Sequence, residues 1–150
     1  MAAVLPSKLL EISRQANFDP KKAIYDALGA AVKKVNVRNN LVLVATYIEP
    51  EKTKGGIYKP QKTTAEDLYL GNMGLVLQKG PQAFKDDERL GIYWDGQDVA
   101  LGQWVMFRYS AAWEFHLNGV SVRTIEDREI KAVVDDPDVI VSKPHIAVQA

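Results

Sequence analysis

The chain has 150 residues, 47% of them apolar and 25% charged, with a formal net charge of zero. That length and mix fit one soluble globular domain with a proper core, and no basic surplus is there to neutralise phosphates, which argues against nucleic acid as a partner. The absence of cysteine excludes disulfides and thiolate chemistry and fits a reducing compartment, while no apolar run approaches the roughly 18 residues of a membrane helix and Val4-Leu5 is broken at once by Pro6, so neither a membrane span nor a secretory signal is expected.

Residues 1 to about 35 read as a helical N-terminal extension. Asp19-Pro20 is a start signal, because Asp can cap free amides and Pro is pre-set for the first helical position. From there Ile24, Leu28 and Val32 recur every four residues, with Ala23, Ala27 and Ala31 beside them. The stripe predicts a helix of about 14 residues, closed by Lys33 and Lys34, where cations favour the helix dipole. Gly29 is a poor helix former inside it. A second helix is expected over Ser7 to Ala16, with Leu9, Leu10 and Ile12 apolar.

Beyond residue 36 the pattern changes to short strands and turns. Strands are expected at Leu41 to Ile48, at Gly74 to Gln78 ahead of Gly80-Pro81, at Leu90 to Trp94 and at Trp104 to Tyr109. Trp113 to Leu117 and Val120 to Thr124 alternate on either side of Asn118-Gly119, the strongest short hairpin signature. Ile130 to Val134 is the last strand, stopped by Asp135-Asp136-Pro137. Many short strands separated by turn signals point to an all-β barrel or sandwich. Trp104, Phe107, Trp113 and Phe115 sit at strand alternation and are expected in the core.

Between the first two strands lies a polar stretch, Glu49 to Asp67. Its four lysines (52, 54, 59, 62) balance its four acids (49, 51, 66, 67). Pro50 and Pro60 flank a Gly55-Gly56 pair, and Ile57 and Tyr58 are its only large apolar residues. Such a segment cannot bury enough surface to offset its own ordering entropy. A long connection of this kind inside a compact domain is uncommon and usually functional. Gly55, Gly56, Ile57, Tyr58 and Lys59 are therefore the candidate partner-binding residues.

Catalytic signals are thin. His116 and His145 are isolated, and without Cys they cannot make a typical zinc site unless carboxylates join them. The acidic groups Asp86-Asp87-Glu88, Glu126-Asp127-Glu129 and Asp135-Asp136-Asp138 lack the calcium-loop spacing and read as solvated turns. No phosphate loop or dinucleotide fingerprint is present, and Ser13 and Ser110 have no nearby His to activate them. Neither an enzyme nor a cofactor or metal is expected. Phe84, Tyr93 and Trp94 fall in a loop region and, with the stripe Ile24, Leu28 and Val32, are candidate subunit contacts; packing on the chain's own sheet is the alternative for both groups.

The segment Glu51-Lys-Thr-Lys-Gly-Gly-Ile57, placed after the strand Leu41-Val-Leu-Val44, resembles the mobile loop of the GroES family of co-chaperonins, including phage-encoded members. Gly74-Leu-Val-Leu-Gln-Lys-Gly80-Pro, Val99-Ala-Leu-Gly-Gln-Trp-Val-Met-Phe107, Asn118-Gly119 and Ile130-Lys-Ala-Val-Val134 are similar to later family segments in the same order. The resemblance covers about residues 36 to 136. It implies a small irregular β-barrel with one long mobile loop, preceded here by the helical extension (1–35) and followed by a tail (137–150). It implies a ring of seven copies, with Ile57-Tyr58-Lys59 as the tripeptide that docks on a chaperonin ring in the host cytoplasm. Lys59 stands where the family carries another aliphatic residue. The alternative expectation is a phage virion component, such as a capsid decoration or cement protein, in which the leader, loop and tail reach neighbouring capsid subunits.

Overall fold

The structure is a computed structural model that describes residues 19–48 and 69–139. The expected Ser7–Ala16 helix, the Glu49–Asp67 stretch and the tail from residue 140 lie outside the described residues. Helix α1 spans Pro20–Leu28, and the Asp19 carboxylate accepts from the Lys21 and Lys22 amides at 3.1 and 3.5 Å. The α-helix stops where Gly29 takes φ 53°, and residues Gly29–Lys34 continue as a tighter 3-10 helix. The single helix expected through Lys34 is thus two segments, because Gly29 adopts a backbone conformation that breaks the α ladder. On the exposed face Lys22 pairs with Asp26 at 2.9 Å, and the hydrogen bond to that carboxylate raises the ammonium pKa.

Six strands follow: β1 Leu41–Ile48, β2 Tyr69–Lys79, β3 Trp104–Phe107, β4 Trp113–Leu117, β5 Val120–Glu126 and β6 Ile130–Val134. They form one antiparallel sheet in the order β4-β5-β1-β2-β3-β6. The β4–β5 turn is Asn118-Gly119, with φ 52° and 82°, the positive pair that a tight right-twisting hairpin needs. The strand expected at Leu90–Trp94 does not form. Asp87 caps a short 3-10 turn at Glu88–Leu90, Gly91 reverses the chain, and only the single bridge Asp87–Ile92 remains. Here turn chemistry prevails over the β-prone Ile92-Tyr93-Trp94 run.

Both faces of the central strands are covered, which is why β1 reads as a nearly continuous apolar run. On one face Leu43, Ala45 and Tyr47 pack with Met73, Leu75 and Trp104 beneath Ala23, Ile24 and Leu28 of α1. The Tyr47 and Trp104 rings meet edge to face at 5.1 Å. On the other face Val42, Val44, Val76, Val105 and Ile125 pack under Ala83, Phe84 and Val99 of the β2–β3 connection. Gln78 fixes the link between α1 and β1: its Oε1 accepts from Val37 N at 2.7 Å, and its Nε2 donates to Val35 O at 2.6 Å.

Chain geometry decides the shape of the sheet. Strands β5 and β6 are separated by β1, β2 and β3, which in a flat sheet is four spacings of about 4.8 Å, roughly 19 Å. Only the 3-10 turn Asp127–Glu129 joins Glu126 to Ile130. Four extended residue steps reach about 14 Å at most, so the sheet must curl to bring the ends of β5 and β6 together. Among the described residues the ladder nonetheless stays open, with β4 and β6 as its two edges. Among the described residues the structure thus defines a β-rich fold on a curled, open sheet with one short α-helix ahead of it.

Candidate functional site

Gly55, Gly56, Ile57, Tyr58 and Lys59 lie outside the described residues. The residues that launch their segment are described. Ile48 and Tyr69 are Cα partners in the β1–β2 ladder, so the two described residues that flank the segment stand side by side. Just inside this root, Tyr47 and Met73 are buried in the helix-side core. A well-packed base therefore flanks the twenty residues between these two directly paired positions.

The candidate subunit contacts divide. Ile24 and Leu28 are fully buried against the chain's own sheet, and Val32 is half-buried on the same core. They are core residues of this chain, because the helix lies flat on the sheet and its apolar stripe is consumed there. Phe84 is buried as well, and Trp94 half-buried against it with ring centroids 5.1 Å apart, edge to face. The Trp94 indole N–H donates to Lys85 O, and its backbone N–H donates to Asp86 Oδ1. Of that aromatic trio only Tyr93 faces solvent, at 57% exposure, together with the neighbouring Leu90.

Phe84 sits at φ 59°, a conformation that costs a bulky residue energy unless its surroundings hold it there. Asp127 supplies the hold. Its Oδ2 accepts from Phe84 N at 3.0 Å, and its Oδ1 accepts from Asn40 Nδ2 at 3.0 Å. Its own amide donates to Asn40 O. The expectation of a solvated acidic turn at 126–129 is overturned for this residue, which is only 4% exposed. The same carboxylate ties together the β5–β6 crossover, the start of β1 and the loop over the second core. No single-residue signal in the sequence separates it from its exposed neighbours Glu126 and Arg128.

A second polar cluster lies on the sheet face opposite α1. Thr46 and Ser121 share a hydrogen bond at 3.1 Å, Ser121 donates to Glu114 at 2.5 Å, and Arg123 lies 3.8 Å from the same carboxylate oxygen. The Arg123 guanidinium also stacks over Tyr109, 5.3 Å from the ring centre. Ser121 is buried and already committed to a carboxylate, so the cluster has the character of a satisfied strut rather than a nucleophile with its base. His116 is exposed across from Ser121, and His145 lies outside the described residues. Among the described residues no group of three or more His, Asp or Glu is placed to hold a metal, and no helix is long and apolar enough to cross a membrane.

Trp104 and Phe107 are buried as the sequence implies, and Phe115 is half-buried, but Trp113 is 71% exposed. Its strand is an edge, and alternation alone cannot distinguish an edge from an interior position. No protein-family model matches the chain, and no curated protein matches it in sequence.

Proposed function

We propose that this chain is a non-enzymatic assembly protein of the GroES-like kind, which docks through its 49–67 segment as a co-chaperonin cap on a chaperonin ring. On this reading the curled sheet belongs to a small irregular β-barrel, and several copies form a ring. The observation that carries the proposal is the launch point: the residues that flank a segment too polar to fold alone are paired with each other, Ile48 with Tyr69. On this reading Ile57 and Tyr58 are the residues that the docking arm offers to its partner.

Burying Ile57 in a partner's groove contributes about 1.5–3 kcal/mol, and ordering the arm offsets much of it. One arm binds weakly, whereas several arms on one ring bind tightly through effective concentration. Lys59 keeps its ammonium in water and lays only its stem on apolar surface, which lowers the affinity of each arm below that of an aliphatic residue. The test is co-migration of the purified protein with a chaperonin ring in the presence of ATP. A complex that is lost with Ile57→Ser supports the reading; no complex with the native chain refutes it.

Lys59 also favours a second reading, a phage virion component built on the same barrel, in which the arm meets capsid subunits. Mass spectrometry of purified particles tests it, and absence of the protein from them rules it out.

A further inference from the structure

We propose that Asn118 is a deamidation site guarded by α1, and that loss of its amide releases the helix from the β4–β5 turn. Asn118 is the only asparagine of the chain that precedes a glycine. The pair forms an exposed turn, with φ 52° and 82°. Gly119 carries no side chain to keep its own nitrogen from the Asn118 side-chain carbonyl. The reaction needs only water. The Gly119 backbone nitrogen attacks Asn118 Cγ, a bond forms between them, and the Cγ–Nδ2 bond breaks. Ammonia leaves with the proton given up by the Gly119 nitrogen. Water then opens the cyclic imide: attack at the side-chain carbonyl leaves aspartate, and attack at the main-chain carbonyl leaves isoaspartate.

In the folded chain the leaving group is engaged. Asn118 Nδ2 donates to the carbonyl of Ala27 at 2.7 Å and reaches that of Leu28 at 3.5 Å. These bonds fix the side chain against the helix, so turning Cγ onto the Gly119 nitrogen first requires breaking them. The opening that permits attack is therefore local, the parting of α1 from the turn. The product cannot restore the contact. Aspartate tolerates the positive φ as asparagine does, but its carboxylate offers only acceptors where a donor is needed. Its added negative charge faces the last turn of α1, the negative end of the helix dipole. Isoaspartate also lengthens the main chain within a two-residue turn, whose geometry sets the β4–β5 register. Either product leaves Ala27 and Leu28 without the Asn118 donor, at the end of a helix that covers Leu43, Ala45 and Trp104. The turn is thus a one-way chemical latch on the helix-side core.

Peptide mass spectrometry of the full chain, aged in mildly alkaline buffer with and without unfolding urea, tests the guard. Deamidation at Asn118 should be several-fold slower in the folded chain, and equal rates overturn the proposal. The aspartate product is made directly as Asn118→Asp. Hydrogen exchange of its Ile24 and Leu28 amides should be several-fold faster than in the native chain, with the Val44 and Val122 amides unchanged. Native exchange throughout α1 overturns the release. If the sheet amides also exchange faster, the charge has opened the whole fold, and Asn118→Gly decides, because it removes the donor, adds no charge and suits the positive φ. Faster exchange confined to α1 in that variant supports the proposal. Exchange that is native in α1, or faster in the sheet as well, overturns it.

Discussion

Asp127 shows how much one side chain can hold in a small fold. Its two oxygens satisfy Phe84 N and Asn40 Nδ2, both remote in sequence. Replacing it with Ala leaves a buried amide unpaired beside a residue at φ 59°, so Asp127→Ala should cost about 1–3 kcal/mol, read from urea unfolding midpoints. Glu126→Ala, on the exposed neighbour, should stay within about 0.5 kcal/mol of the native chain in the same measurement. Glycines set a second residue-scale constraint where strands crowd. A Cβ on Gly74 would fall 2.8 Å from both Val44 Cβ and Cγ2, and one on Gly80 would collide with the Asn39 carbonyl oxygen. Neither clash can be relieved by a side chain swinging away, and Gly80→Ala should be the more damaging because its approach to backbone, at the Asn39 oxygen, is the closer. Thermal melts of the two variants would rank them, and equal midpoints would contradict that argument.

Among the elements, α1 is held by its buried stripe more than by its ends. Ile24 is fully buried at the centre of the helix-side core, so Ile24→Ala should destabilise the protein by about 2–5 kcal/mol in chemical unfolding. Asp19→Ala removes only a cap, and about 1 kcal/mol is expected. If the two substitutions proved equal, the helix would not be packed as described. Element boundaries were legible where local chemistry acts alone. The limits of β1 and β6 coincide with the expected strands, and Asn118-Gly119 forms the expected turn. They were not legible where a cap or a glycine competes with propensity, as at Gly29 and at Asp87–Gly91. The exposure of Trp113 was equally hidden, since strand alternation says which side a residue faces and not whether anything covers that side.

At the scale of the whole molecule, a curled sheet pairs Ile48 with Tyr69, the residues that flank the proposed docking arm. Because avidity multiplies a weak contact, Ile57→Ser should abolish chaperonin co-migration while leaving the unfolding midpoint unchanged, a pairing that separates docking from folding. Lys59→Leu should tighten the complex, measured by its dissociation rate, as a charged head no longer has to stay in water. The sequence by itself determined the strand-rich class, the hairpin turn, the capped helix and the polar stretch with its apolar pair. Each follows from residue types within a few positions of one another, through dihedral preference, capping and hydrophobic period. Tertiary structure alone decided that Ile24 and Leu28 are core, that Phe84 and Trp94 pack on each other, that Asp127 is buried and that the sheet must curl. Those facts depend on which strands become neighbours, and a three-residue crossover between strands four places apart in the sheet is a constraint that appears only once the order of the ladder is known.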